Sequence, residues 1–241
     1  MELLLHPRDP ISTWTHFLWM VLAFPATWLL WRRSRGDRPK QISLLIFGLG
    51  AIACFGASAL YHAVPVWPGY HEWFIAGDYV GIHLLIAASC TGIAFTLLPG
   101  RSKWLMLSAI WAITVVAIGV RLTFDNLPRW LNPVIYLALG WALSSAHPGL
   151  VRAVSSGPVR WVWLGGLLYT LGALCYLTRW PPLWPGVFGS HELLHIFVMG
   201  GSLAHFYFML KYVTPFDRCR PRTGNPQTVQ FAGNQTAPAV V

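Results

Sequence analysis

The sequence predicts an all-α membrane protein, folded as a bundle of seven transmembrane helices. The first observation is composition: hydrophobic residues make up 55% of the 241 residues and charged residues only 10%. A typical soluble domain carries roughly 25% charged residues, and so few charges cannot cover the surface of a soluble domain of this size. The second observation is pattern, because apolar segments of about 20 residues, the length that crosses a bilayer, recur along the chain. Together they exclude a soluble enzyme and a disordered or collagenous protein.

Seven predicted spans follow one another with short connections. In chain order they are Ser12–Trp31, Ile42–Pro65, Trp73–Leu98, Trp104–Leu122, Trp130–Ala146, Val159–Leu177 and His191–Val213. The fifth is short and contains Pro133, which a transmembrane helix tolerates when its neighbours satisfy the freed backbone groups. The segment after the last span is polar, a composition typical of disorder. The sequence therefore predicts a transmembrane domain over residues 1–213 and a disordered tail over residues 214–241.

The net charge of +9 indicates membrane orientation rather than nucleic-acid binding, because the basic residues lie in short runs between the apolar segments. If the chain crosses seven times, thirteen of the 17 Lys and Arg residues lie on one side, the side of the C-terminus. The positive-inside rule then predicts an outside N-terminus and a cytoplasmic C-terminus. Short loops and a simple N-terminus favour a bacterial inner or plasma membrane.

Polar side chains inside predicted spans are the functional candidates, because an ionisable residue in a bilayer is costly. They are His16 early in the first span, Ser58 and His62 late in the second, Asp78 early in the third, and His191 and His195 at the start of the seventh. The second span runs toward the side from which the other three begin. All six side chains should therefore lie at one depth, whichever way the bundle is inserted.

The spacing of the histidines at this depth is typical of a metal-binding site. His191 and His195 are four residues apart, so both imidazoles share one helix face. With His62 from another helix they supply three nitrogen ligands, the number that leaves zinc a fourth position for water in catalytic sites. Such a water becomes a nucleophile near neutral pH. We therefore predict a Zn²⁺ site at these three histidines. The alternative is helix packing through hydrogen bonds, which we assign to His83, His147 and His205.

Two polar residues are predicted to act beside this metal. Asp78 is placed to act as the general base or to orient a ligand imidazole. Ser58 lies one turn deeper than His62 and can donate to a carbonyl oxygen or an oxyanion. The segment His191-Glu192-x-x-His195 also matches the zinc-protease pattern in which the glutamate is the base, so Glu192 is an alternative to Asp78. His16 is expected to support a ligand rather than to bind the metal.

The order of these motifs resembles the hemolysin III family from about residue 8 to residue 210. The similar segments are Asp9-Pro10-Ile11-Ser12-Thr13-Trp14-Thr15-His16, Ser58-x-x-x-His62, Asp78-Tyr79-x-Gly81-Ile82, Gly166-x-x-Tyr169-x-x-Gly172-Ala173 and Ser190-His191-x-x-x-His195 with Gly201-Ser202 and His205-Phe206. The wider group includes the adiponectin and progestin receptors and, more distantly, the alkaline ceramidases. The resemblance implies a seven-helix bundle with one zinc ion at His62, His191 and His195, near Asp78 and Ser58.

The resemblance also implies a lipid substrate. The receptor and ceramidase branches are associated with lipid-amide hydrolysis, so we expect a ceramide-like or other acyl-chain substrate that reaches the site laterally from the bilayer. The adiponectin receptors place their N-terminus in the cytoplasm, whereas the charge pattern of this chain predicts the opposite. The alternative is a non-catalytic membrane-homeostasis or cytolytic protein with structural zinc. A transporter is not favoured, because the sequence shows no internal repeat and no chain of charges across the membrane.

Overall fold

Helices account for nearly all regular structure in this protein. The structure, a computed structural model, describes residues 7–66, 69–124, 127–184 and 187–217, so most of the predicted tail, residues 218–241, lies outside the described residues. Within them there is no strand, only an isolated bridge between Trp184 and Phe188. The long helices of the described chain are α1 (Pro10–Arg33), α2 (Arg38–Ala63), α3 (His71–Leu97), α4 (Gly100–Thr123), α5 (Leu131–Val154), α6 (Ser156–Thr178) and α7 (Ser190–Val213).

Six of these helices, α2 to α7, are long and apolar enough to cross a membrane. This confirms the predicted all-helical membrane protein. The first helix is also long, at 24 residues, but it does not belong to the six, because its tryptophans and threonines lower its mean hydropathy. It nevertheless packs against α2 and α7. Its crossing of the membrane, and with it the count of seven spans, stays a prediction.

The fifth helix is longer than its predicted segment. It runs as an α-helix over Leu131–Trp141, continues through a 3-10 segment over Ala142–Ala146, and resumes as an α-helix over His147–Val154. Ser155, with a φ of 67°, then turns the chain directly into α6. The polar residues around the 3-10 segment interrupt the apolar pattern of the sequence. The predicted span therefore ended at Ala146, although the helix continues to Val154.

A buried lysine joins the second helix to the end of the last. Asp37 precedes α2 and accepts a hydrogen bond from the backbone N–H of Lys40, which caps the helix start. The Lys40 ammonium donates to the carbonyl oxygens of Thr214 and Phe216, just after α7. Cationic donors at a helix C-terminus satisfy carbonyl groups that the helix leaves free. The contact fixes the membrane-spanning bundle at the end opposite to the predicted site.

The third helix lies at the centre of the bundle and contacts α2, α4, α5 and α7. Its most apolar window is 72% buried, compared with 28% for α4. Small residues let α2 approach it closely, as is common between membrane helices. A Cβ atom at Gly81 would lie 2.8 Å from the Cα atom of Cys54. Asp78 and Ser58 are thus carried by two helices whose backbones are in contact.

Because no side chain fits between these backbones, we expect Gly81→Leu to destabilise the bundle by about 3 kcal/mol, the cost of severe overpacking. The measurement is the midpoint of thermal unfolding in detergent. Gly119→Leu in α4 is the matched control, because a Cβ atom there meets nothing within 4 Å. Equal midpoints for the two variants would contradict the close approach of α2 and α3.

Candidate metal centre

Three histidines from two helices meet at one end of the bundle, and we call them the histidine cluster (His62, His191 and His195). His62 lies in the last turn of α2, and the other two lie in the first two turns of α7. The Nε2 atoms of His62 and His191 are 3.2 Å apart. One ring nitrogen from each histidine lies within 4.8 Å of the other two. The structure therefore brings the three predicted ligands together.

The donor set of the histidine cluster fits a metal ion. Zinc–nitrogen bonds of about 2.0–2.1 Å in a tetrahedral site place two ligand nitrogens roughly 3.4 Å apart, close to the 3.2 Å between His62 and His191. His62 and His195 are 2% and 5% exposed. The buried Nδ1 of His195 has no hydrogen-bond partner among the described residues. Three converging imidazoles suit zinc, copper, nickel or iron.

Asp9 orients His62, the predicted ligand from α2, through a hydrogen bond. Its Oδ2 accepts a hydrogen bond of 2.9 Å from Nδ1 of His62, the carboxylate–histidine arrangement that fixes ligand tautomers in metal sites. This hydrogen bond uses Nδ1 of His62, so Nε2, which faces His191, is the nitrogen that can bind a metal. Burial raises the pKa of the Asp9 carboxyl, but the hydrogen bond from His62 and the Arg8 guanidinium outweigh it, so the pKa lies below its usual value.

A role for Asp9 was not predicted from the sequence, where the residue belongs only to the motif that opens the first span. The available signal was its position, because a carboxylate immediately before α1 lies at the same end of the bundle as the last turn of α2. The backbone N–H of Asp9 donates to the carbonyl oxygen of His62 at 3.0 Å, which holds the two residues together.

Asp78 and Ser58 line a cavity that reaches the histidine cluster. We call it the central cavity; its lining is mainly apolar and its polar members include Ser58, Asp78, Tyr79, Tyr136, Tyr169, Tyr176, His191, His195 and His205. The Ser58 side chain is 2% exposed, and its hydroxyl has no hydrogen-bond partner in the described parts of the chain. Asp78 and His191 line the same cavity. Both residues are thus positioned to meet a ligand in the cavity.

Glu192 serves as a helix cap. Its Oε2 accepts a 2.8 Å hydrogen bond from the backbone N–H of Gly189 at the start of α7, and Ser12 lies 3.5 Å from its Oε1. It lines a separate pocket at the surface, together with Arg8 and Arg179. A carboxylate used in this way stabilises the first turn of α7. Of the two alternative bases, Asp78 is the one that lines the central cavity.

His16 supports the histidine cluster through its ring. The imidazole stacks on His195 with ring centroids 4.1 Å apart and meets Phe55 edge-on at 5.4 Å. Neither of its ring nitrogens finds a hydrogen-bond partner within the described ranges. The stack holds the His195 ring against α1, and the supporting role of His16 in a metal site stays a prediction.

A group of tyrosines near Asp78 was not predicted from the sequence. The hydroxyl oxygens of Tyr79 and Tyr176 lie 3.3 Å apart, and the Tyr136 hydroxyl donates to the carbonyl oxygen of Tyr79 at 3.1 Å. The Tyr176 ring centroid is 5.8 Å from that of His191. The available signal was the seven-residue spacing of Tyr169 and Tyr176, which places both on one face of α6.

Comparisons with known proteins confirm the resemblance to the hemolysin III family. The Haemolysin-III related family matches residues 6–206. The Hemolysin-3 protein of Bacillus cereus is 26% identical over 203 residues, which is 83% of this chain and 90% of that protein. The adiponectin receptor protein of Drosophila melanogaster is 28% identical over 218 residues, or 81% of this chain and 48% of the receptor. This chain belongs to the Haemolysin-III related family.

Proposed function

We propose that this protein is a zinc-dependent intramembrane hydrolase that cleaves a lipid amide or ester. The observation that carries the proposal is the meeting of the histidine cluster with Asp78 and Ser58 at one end of a mainly apolar cavity. In this proposal His62, His191 and His195 hold the metal, and Asp9 fixes the tautomer of His62. Polar groups of this kind at the head of an apolar pocket are typical of enzymes that act on amphiphiles.

Each residue has a defined task in the proposed reaction. Bound zinc would polarise the substrate carbonyl and activate a water molecule for attack. Asp78 accepts the proton of the attacking water and passes it to the leaving amine or alcohol. The Ser58 hydroxyl, free of other hydrogen bonds, donates to the carbonyl oxygen as negative charge develops on it. His16 and Asp9 touch ligands rather than substrate and keep the imidazoles in position.

The substrate is a ceramide-like lipid or another molecule with an acyl chain. The central cavity is lined by residues of α5 and α6 as well as by the site residues. Among them Trp141 of α5 is 42% exposed, so we place the entrance of the cavity between these helices. An acyl chain can therefore pass from the bilayer into the cavity without crossing water.

The proposal includes an orientation. The N-terminus and the histidine cluster lie at the outer face of a bacterial inner or plasma membrane, and the C-terminus is cytoplasmic, as the positive-inside rule predicts. It requires α1 to cross the membrane as a seventh span. The contacts of α1 with α2 and α7, together with the complete burial of Leu30, support its place in the bundle.

One observation favours a second candidate, a non-catalytic membrane protein with structural zinc. The histidine cluster links α2 to α7 and stacks on α1 through His16. A metal there would tie three helices together. Its removal would lower the stability of the protein, and a non-catalytic protein would have no turnover to lose. The relatives named Hemolysin-3 are compatible with such a role in membrane homeostasis or cytolysis.

The experiment that tests the proposed function is hydrolysis by the purified full chain in detergent. N-acyl sphingoid amides and acyl esters are offered as a panel, and released fatty acid is measured by mass spectrometry. We expect turnover of at least one class, loss of turnover after chelation, and recovery on addition of Zn²⁺. A folded, zinc-loaded protein that hydrolyses no member of the panel, but loses thermal stability on chelation, would favour the structural role.

We expect Asp9→Asn to weaken metal binding by about 10–100-fold, the usual effect of removing the carboxylate behind a ligand histidine. An asparagine keeps the size of the side chain but withdraws the charge that His62 contacts. The affinity is measured by competition with a chromogenic zinc chelator. Asp37→Asn is the matched control, because Asp37 caps α2 at the far end of the bundle. Equal affinities for the two variants would contradict the role of Asp9.

A further inference from the structure

The central cavity has a second polar end, away from the histidine cluster. His195 and His205 both line it from α7, and their separation of ten positions corresponds to about 15 Å along the helix. Ser89 lines it from α3, eleven residues beyond Asp78, and Tyr169 lines it from α6. We call His205 and Tyr169 the distal pair. The proposed function gives this pair no task.

The hydrogen-bonding groups of the distal pair are open toward a ligand. Nε2 of His205 lies 3.2 Å from the carbonyl oxygen of Val162, so Nε2 carries the hydrogen and Nδ1 is an acceptor. The side chain is 7% exposed. This Nδ1 has no hydrogen-bond partner among residues 7–66, 69–124, 127–184 and 187–217. The Tyr169 hydroxyl lies beside the Ser89 hydroxyl, which itself donates to the carbonyl oxygen of Leu85; among the same residues the Tyr169 hydroxyl makes no hydrogen bond of good geometry. A buried polar group left in this state costs about 1–3 kcal/mol, which a polar ligand atom would recover.

The backbone is shaped to hold both rings in place. A Cβ atom at Gly165 would lie 2.4 Å from the His205 ring, and one at Gly201 would lie 2.6 Å from the Tyr169 ring. The two rings meet edge to face, with centroids 5.5 Å apart. Each ring therefore occupies space that only a glycine on the facing helix leaves open. The distal pair is a fixed acceptor and donor rather than two freely moving side chains.

We propose that the distal pair is a hydroxyl-binding subsite, which selects acyl chains that carry a hydroxyl group far from the carbonyl. A hydroxyl is both donor and acceptor, so it can donate to Nδ1 of His205 and accept from Tyr169. An unsubstituted chain would leave both groups unsatisfied, which is how a polar site rejects an apolar analogue. The separation of about 15 Å corresponds to an extended chain of roughly twelve carbon atoms. This length rests on the proposed function, because it assumes that the carbonyl lies at the histidine cluster.

The test is ligand binding to the zinc-loaded full chain in detergent, measured by calorimetric titration. The probes are dodecanoic acid, its ω-hydroxy derivative, and an isomer with the hydroxyl at the middle of the chain. We expect the ω-hydroxy acid to bind about five- to tenfold more tightly than dodecanoic acid, the gain from two satisfied hydrogen bonds. The mid-chain isomer should bind more weakly than either, because its hydroxyl meets the apolar part of the cavity. This comparison uses only the wild-type protein.

Two variants assign the preference to the distal pair. Tyr169→Phe and His205→Phe should each bind the ω-hydroxy acid no more tightly than dodecanoic acid. Tyr207→Phe is the control, because Tyr207 packs against Trp161 outside the central cavity, and it should keep the wild-type preference. Binding is read without turnover, so a protein that hydrolyses nothing can still show the preference.

Three outcomes would overturn the subsite. The wild type could bind dodecanoic acid as tightly as its ω-hydroxy derivative. This is the result expected if water molecules already satisfy the hydrogen-bonding groups of the distal pair. It could bind neither acid. The preference could also survive in both phenylalanine variants, which would place the hydroxyl elsewhere in the cavity.

Discussion

Replacing His191 and His195 together by alanine is expected to leave the protein without bound metal, whereas the wild type retains about one zinc ion per chain. The double variant keeps only His62 of the three converging nitrogens, and one imidazole cannot hold zinc against solvent. The measurement is elemental mass spectrometry on protein purified in detergent without chelators. Because the loss removes the centre of the proposed reaction, hydrolysis should fall to background in the same sample.

His147→Ala is the control for this experiment. His147 lies on α5, is exposed, and contacts Trp163, so its removal should leave the metal content unchanged. Size-exclusion chromatography and the unfolding midpoint establish that each variant remains folded. A wild type that is purified without metal, or a double variant that keeps it, would contradict the metal centre. The histidine cluster would then be a helix-packing network, and the hydrolase proposal would fall with it.

The depth of the site could be predicted from the sequence, because depth depends only on the order and direction of the spans. Counting spans brought His62 to the same end as His191, and the structure puts their Nε2 atoms 3.2 Å apart. The hydrogen bond between Asp9 and His62 could not be predicted in this way. It depends on how the residues before α1 turn back across the end of α2, and hydropathy carries no information about that path.

The role of Glu192 depended on one helix boundary. If α7 had begun a turn earlier, Glu192 would have been an interior residue of a His-Glu-x-x-His helix, as the zinc-protease pattern assumes. The helix instead begins at Ser190, so Glu192 is the third residue and reaches back to the N–H of Gly189. A glutamate three residues after a helix cap is a known capping signal. The sequence could not decide between the two patterns, because tertiary contacts set the boundary.

Asp78→Asn is expected to lower the rate of hydrolysis by about 10²–10⁴-fold, the usual contribution of a general base. The asparagine keeps the shape of the side chain but cannot accept a proton from water at neutral pH. Since Asp78 does not belong to the histidine cluster, the variant should keep its zinc and a KM close to that of the wild type. The measurements are kcat and KM for the substrate that the panel identifies, together with the metal content of the same preparation.

Glu192→Gln separates the two carboxylates that the sequence left as alternatives. The amide withdraws the charge from the cap of α7, so the unfolding free energy should fall by about 1 kcal/mol, while kcat stays near the wild-type value. A folded Asp78→Asn variant with full activity would contradict the assigned base. A large loss of kcat in Glu192→Gln alone would assign the proton transfer to the helix start instead. That result would require the first turn of α7 to rearrange when substrate binds, because the Glu192 carboxylate is otherwise held by Gly189.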